Sequence, residues 1–174
     1  MTPFDRAFTI TVGVEMGLSM AREDRGNWTG GAVDKGVLKG TKFGISAARY
    51  PDEDIQNLSL ERARELYMRD YWTPNRCELL PWPWSAYLFD MAVNPGPGRP
   101  IAMDLQDALG VTVDGRIGPR TVDAARRANN RHEARLLVLR NKRFQRAMTA
   151  DVHGDGWLAR LFILALEVNQ EVPR

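Results

Sequence analysis

The sequence predicts a mainly α-helical protein in which one glycine-rich stretch, residues 24 to 41, interrupts the helices as a long loop or small hairpin. Three observations lead there. Apolar residues recur at the 3.6-residue period over most of the chain beyond residue 59. Residues that start and stop helices bracket those runs. Five glycines, at 26, 30, 31, 36 and 40, fall in the one stretch, where they permit turns and weaken any regular helix.

Taken in order, residues 4 to 15 admit two readings. Phe8, Ile10, Val12 and Val14 alternate with Thr9, Thr11 and Gly13 as a half-buried strand would, while Phe4, Phe8 and Val12 repeat at helical spacing. On the helical reading Glu15 lies three residues after Val12, on the same apolar stripe. Ser59 caps a helix carrying Ala63, Leu66, Tyr67 and Tyr71, with Glu61 in its first turn and Trp72-Thr73-Pro74 at its end. A second helix, Trp84–Val93, is apolar nearly all round and therefore buried; Asp90 and Asn94, one turn apart, are expected to be a hydrogen-bonded structural pair. The run Asn94-Pro95-Gly96-Pro97-Gly98 is the expected boundary between two lobes, residues 1–94 and 95–174. Beyond it, Ile101, Leu105, Ala108 and Leu109 make a short helix closed by Gly110, Asp114-Gly115 marks a turn, and Pro119 suits a first helical position. Helices over 131–148 and 156–169 complete the chain. The last, containing WLARLFILALEV, is too short to span a membrane and carries Arg160 and Glu167, so it reads as a buried terminal helix.

Composition narrows the function classes. In 174 residues, 44% hydrophobic and 26% charged content is that of a globular chain able to bury a core. A net charge of +2 is too mild to argue for nucleic acid, and the arginine-rich segment 126–146 reads as a solvated helix face, in its functional version a surface attracted to anionic envelope polymers. Cys77 is the lone cysteine, which excludes an intramolecular disulfide; with His132 and His153 far apart and no HExxH or CxxC spacing, neither a metal nor another cofactor is expected. The first 17 residues hold Asp5, a single basic Arg6 and no apolar run leading to a small-residue cleavage site, so they do not read as a secretory signal.

One acidic side chain invites a functional reading: Glu15, placed between an apolar segment and the polar, glycine-rich stretch. It opens an ordered set of motifs. Glu15-Met16-Gly17 is followed by Asp24-Arg25-Gly26-Asn27-Trp28-Thr29-Gly30-Gly31 and Gly40-Thr41-Lys42-Phe43-Gly44-Ile45-Ser46, then by Tyr71-Trp72, by Phe89-Asp90-Met91-Ala92-Val93-Asn94 with Pro95-Gly96, and by Val113-Asp114-Gly115-Arg116-Ile117-Gly118-Pro119-Arg120-Thr121. This set, spread over residues 8 to 160, resembles the N-acetylmuramidases of glycoside hydrolase family 108, whose members include phage endolysins and bacterial secretion-associated wall hydrolases. The family pattern begins Glu-Gly-Gly and ends in a Thr-x-x-Gly-Ile-Thr-like segment, so Met16 and Ser46 depart from it while the glutamate does not. The resemblance implies a lysozyme-like helical fold of two lobes, hydrolysis of the β-1,4 bond between N-acetylmuramic acid and N-acetylglucosamine, Glu15 as the catalytic acid, and a second half that binds peptidoglycan.

The chemistry fits those residue types. Cleaving a glycoside requires a proton for the departing oxygen while positive charge builds on the sugar ring, so one carboxyl group must hold its proton near neutral pH. Apolar surroundings on the Phe8/Val12 side would favour that state in Glu15. Asp24, nine residues on in the loop expected to cross the cleft, is the candidate second carboxylate; its structural alternative is an Asx-turn ahead of Gly26, and Asp34 is the reserve. Thr41 is the candidate holder of the attacking water or of an acetamido group. Trp28 is the expected sugar platform, with Asn27 and Gly30 of the same loop as further substrate contacts, while Tyr71 and Trp72 are read as packing. Two rival readings are a lytic transglycosylase and a non-catalytic peptidoglycan-binding protein that works through the Asp114 to Thr121 motif. The expected partner is the peptidoglycan glycan strand, with no nucleic acid and no stable membrane insertion. The expected state is a monomer that accumulates in the cytoplasm of the producing cell and reaches the wall through a holin or another export route, in a phage-type lysis role.

Overall fold

The computed structural model describes residues 1–13, 17–94, 100–146 and 150–170, without the side chains of 150–155 and 157. Among them are seven α-helices: α1 (Pro3–Val12), α2 (Leu60–Tyr67), α3 (Trp84–Val93), α4 (Ile101–Leu109), α5 (Pro119–Arg127), α6 (Asn130–Gln145) and α7 (Ala150–Asn169). One small antiparallel sheet joins β1 (Thr41–Lys42) to β2 (Ile45–Ser46), with Thr41 opposite Ser46. The chain is mainly α, as predicted, and divides into two compact units, Val12–Met68 and Met1–Thr11 with Arg69–Arg174.

The two readings of residues 4 to 15 resolve in favour of the helix. Thr2 and Asp5 form a reciprocal cap: the Thr2 backbone N–H donates to Asp5 Oδ2 at 2.9 Å, and the Asp5 N–H donates to Thr2 Oγ1 at 3.1 Å. That box satisfies donors that a helix start otherwise leaves open. The helix ends at Val12, where Gly13 adopts φ +73°. The helical stripe thus ends at Val12, and Glu15 lies outside the described residues.

Local signals set the other helix ends. Ser59 Oγ accepts from the Arg62 N–H at 3.1 Å, and Gly110 closes α4 at φ +70°. After Tyr67 the chain does not continue as α-helix to Trp72 but opens into a π-helical turn, Met68–Trp72. In the larger unit Trp72 is buried in an aromatic cluster with Phe4 and Phe89, the three ring centroids 5.4–5.8 Å apart and edge-to-face. α3 is buried on all sides, with Tyr87, Leu88 and Phe89 wholly enclosed.

Two expectations need correction. Asp90 is not bonded through its side chain to Asn94: its carboxylate, 1% exposed, accepts from Arg140 Nη1 at 2.7 Å and from Arg160 Nη2 at 2.5 Å, while Arg140 Nη2 reaches the Asn94 carbonyl at 3.4 Å. The arginine-rich segment 126–146 is likewise not simply a solvated face. Arg140 and Arg143 turn inward to Asp90 and Asp104, and Arg135 pairs with Asp107 at 2.6 Å. A buried carboxylate retains its charge only where partners of opposite charge replace water, and α6 supplies them to α3 and α4.

The terminal helix α7 buries Leu161, Leu164 and Val168 but leaves Leu158, Phe162, Ile163 and Leu166 exposed, so one face packs where an enclosed helix was expected. Its packed end is bound to the start of the chain. Arg6 Nη2 donates to the Gln170 carbonyl at 2.5 Å, Trp82 Nε1 to the Val168 carbonyl at 2.8 Å, and Arg160 Nη2 to the Thr11 carbonyl at 3.0 Å.

Candidate active site

The sequence candidates with described positions all fall in the Val12–Met68 unit, on the glycine-rich stretch and the strands beside it. That stretch is a hairpin. Trp28 bridges Leu38, the Thr29 N–H donates to the Val37 carbonyl at 3.0 Å, and the Gly30 N–H donates to the Lys35 carbonyl at 3.1 Å. A side chain at Gly30 would meet the Lys35 carbonyl oxygen at 2.8 Å. Gly30 thus lets the two arms of the hairpin approach while itself remaining exposed.

Thr41 is held from three directions. Its backbone exchanges hydrogen bonds with Ser19, 2.8 Å one way and 2.9 Å the other; it pairs with Ser46 across the sheet; and its Oγ1 donates to Asn27 Oδ1 at 2.7 Å. The preceding Gly40 makes this approach possible. Its φ of +88° suits glycine alone, and a Cβ there would lie 2.5 Å from the Ser19 carbonyl oxygen. At the far end of β1, Phe43 and Gly44 both take positive φ, the two-residue geometry that matches the twist of paired strands.

Asn27 is the centre of the arrangement. It is 0% exposed, and its Nδ2 donates to the Ala21 carbonyl at 2.9 Å and to Ser19 Oγ at 3.5 Å, while its own carbonyl accepts the Lys39 and Gly40 N–H groups. So enclosed, the Asn27 side chain holds Thr41 and Ser19 in position. Replacing it with alanine would strand the Thr41 hydroxyl and the Ala21 carbonyl; a loss of about 1–3 kcal/mol is expected, and urea unfolding of Asn27→Ala against wild type measures it.

Trp28, 6% exposed, donates through Nε1 to the Arg22 carbonyl at 2.8 Å, and the Arg22 guanidinium lies 5.0 Å from the ring centroid, contacts that stiffen the hairpin. Asp24 takes the Asx-turn geometry: it caps the 3₁₀ turn Arg25–Asn27, Oδ1 accepting from the Gly26 N–H at 2.8 Å. Its other oxygen has no partner among the described residues, and the side chain is exposed, so a charge is available there. Asp34 is engaged by Arg22 in an exposed ion pair at 3.0 Å.

Sequence reasoning missed Ser19, whose bridge ties the segment after Glu15 to Thr41, and Gln106 in the larger unit. Gln106 stands at the core spacing of α4 with Ala102, Leu105 and Leu109, a polar residue where the periodicity calls for an apolar one. It is 1% exposed, and it organises the following loop, donating through Nε2 to Asp114 Oδ1 at 2.7 Å and to the Arg116 carbonyl at 2.9 Å, and accepting from the Gly115 N–H at 2.8 Å. The bond from Gln106, followed by that from the Arg116 N–H, holds the Asp114 carboxyl below its ordinary range, so it stays ionised at neutral pH.

Comparison with known proteins places these features. The family model Glycosyl hydrolase 108 matches residues 8–96, and the model Predicted Peptidoglycan domain matches residues 99–162. Among solved structures, that of Brucella abortus SagA is similar with a TM-score of 0.71 at 22% identity, over 97% of this chain and 96% of that one, a likeness of fold and in keeping with a lysozyme-like helical architecture. No curated protein gives a significant match. The glycosyl hydrolase match takes in more than half of the chain and every candidate from Glu15 to Thr41, with peptidoglycan as the partner of the domain that follows; the chain belongs to glycoside hydrolase family 108, a family of peptidoglycan-cleaving N-acetylmuramidases.

Proposed function

We propose that this chain hydrolyses the β-1,4 bond between N-acetylmuramic acid and N-acetylglucosamine, with Glu15 as general acid. The observation that carries the reading is the double bridge between Ser19 and Thr41, because Ser19 follows Glu15 by four residues in the chain and Thr41 is itself fixed by buried Asn27. Glu15 gives its proton to the glycosidic oxygen as the C1–O bond breaks, and water adds to C1 of the muramic acid, losing a proton to base. Asp24, with one oxygen in its cap and the other open, supplies negative charge toward the developing cation. The Thr41 hydroxyl, already donating to Asn27, retains acceptor capacity for the attacking water.

Half of the Asp24 carboxylate is engaged by the backbone, and this favours a second reading, lytic transglycosylase chemistry, in which the muramic acid 6-hydroxyl replaces water and closes an anhydro ring. Mass spectrometry of the products released from purified peptidoglycan separates the two. Hydrolysis yields reducing muramic acid ends and transglycosylation yields ends lighter by one water; the expected product is the former, and anhydro ends throughout would overturn the hydrolase.

In this reading residues 1–94 form the catalytic region and 95–174 the peptidoglycan-binding region, and the enzyme acts as a monomer in phage-type lysis. It accumulates in the cytoplasm of the producing cell and meets the wall once a holin or another export route admits it. Support for action on the wall comes from the peptidoglycan domain that follows the glycosyl hydrolase region.

A further inference from the structure

Two cavities adjoin within the Met1–Thr11 and Arg69–Arg174 unit, about 490 Å³ and about 460 Å³ in volume, with Arg76, Arg116 and Ile117 lining both. Arg120, Asp114 and Thr121 also line the larger. The loop between them is rigidly built. Gln106 pins Asp114, Arg116 and Gly115 from below, and Arg76 Nη1 donates to the Ile117 carbonyl at 3.1 Å. Arg76 reaches that position in a left-handed conformation, φ +56°, one that a non-glycine residue adopts at a cost.

The cations here lack the carboxylate partners that several arginines of the same unit have. Arg126, Arg135, Arg140, Arg143 and Arg160 are neutralised by aspartates. Arg116 and Arg120 have no side-chain hydrogen bond or salt bridge among the described residues, and Arg76 uses one nitrogen on a carbonyl, leaving its charge unpaired. Among the described residues Asp114 is the one acid lining the cavities, against three guanidinium groups. Guanidinium forks match a carboxylate with two parallel hydrogen bonds.

We propose that these cavities receive a free carboxylate of the stem peptide of peptidoglycan, with Arg116 and Arg120 as its ligands and Arg76 at the shared wall. The proposal rests on the reading that the chain acts on peptidoglycan and names the part of that polymer this region holds. The glycan backbone does not meet the need: its sugars are neutral once the lactyl group is amide-linked to the peptide, and among the described residues no aromatic side chain lines either cavity to stack on a ring. A stem peptide carries carboxylates and a free amine, and the ionised Asp114 beside the arginines suits that mixed charge better than a polyphosphate, which it would repel.

The test is calorimetric titration of the full chain with a synthetic diamino-acid stem peptide, which has no glycosidic bond to be cleaved. Wild type is expected to bind it. Arg116→Ala with Arg120→Ala should weaken binding about 10-fold or more. Arg126→Ala, an exposed change on the same helix, should leave it unaltered, and melting curves confirm that each variant folds. A peptide with amidated carboxylates should bind wild type as weakly as the free peptide binds the double variant. Equal binding by wild type and double variant, or none by wild type while peptide-free glycan strands are still cleaved, overturns this proposal and spares the enzymatic one; failure to cleave any peptidoglycan removes the enzymatic one. Binding of soluble polyglycerol phosphate that depends on Arg116, without peptide binding, overturns it in favour of a phosphate site.

Discussion

Glu15→Gln is expected to lower the rate of peptidoglycan cleavage by about 10²–10⁴-fold, the usual contribution of a positioned general acid, while the protein folds as before. Glutamine matches glutamate in shape and keeps its hydrogen-bonding reach but has no acidic proton to deliver. The leaving sugar must then depart as an alkoxide, the species that protonation exists to avoid. The measurement pairs turbidity loss of purified cell walls with the circular dichroism melting curve of each protein. A variant that melts as wild type does and lyses at more than a tenth of its rate would remove Glu15 from the mechanism. A fall in rate accompanied by a fall in melting temperature would assign the residue to the fold instead.

Asp90→Ala is expected to cost about 3–5 kcal/mol of stability, because it leaves the buried Arg140 guanidinium with no counter-charge. For a chain of this length that corresponds to a fall in melting temperature on the order of 10 °C. Arg160 also loses its partner but is a third exposed, so water recovers part of its hydration and the larger share of the penalty falls on Arg140. Adding Arg140→Met to Asp90→Leu should recover part of the loss, since removing both charges spares the desolvation that removing one exposes. Thermal unfolding of the three proteins decides it; a single-variant loss below about 1 kcal/mol would mean that water reaches the pair and stabilises it alone.

The helices that the sequence made legible are those whose signals are local. Ser59, Gly110 and Pro119 announce their ends within a turn, and α3 declares its burial by being apolar all round. The choice for residues 4 to 15 was also written locally, in the Thr2 and Asp5 box, but periodicity alone overlooks a cap. What stayed hidden depends on partners far along the chain. Asn27 looks like any polar loop residue until Ser19, Ala21 and Thr41 close around it, and Asp90 meets Arg140 fifty residues away. The burial of Trp28 was not legible either, because an aromatic in a polar loop carries no mark of which way its ring will turn. α7 misled for the opposite reason: apolar residues on every side imply enclosure, yet the described chain supplies cover for one face. At the candidate site, the motif order located the region, and the roles of Asn27, Trp28 and Gly30 emerged only from the hairpin that they build.

The bonds that clasp α1 to α7 bear on the order of assembly. Arg6 and Thr11 meet partners 164 and 149 residues along the chain, and Trp82 meets Val168 across 86. Loop-closure entropy must be overcome before such pairings contribute. The larger unit therefore cannot complete its packing until α7 has been made, and until then a nascent chain stays without the hydrogen bonds that join this helix to α1.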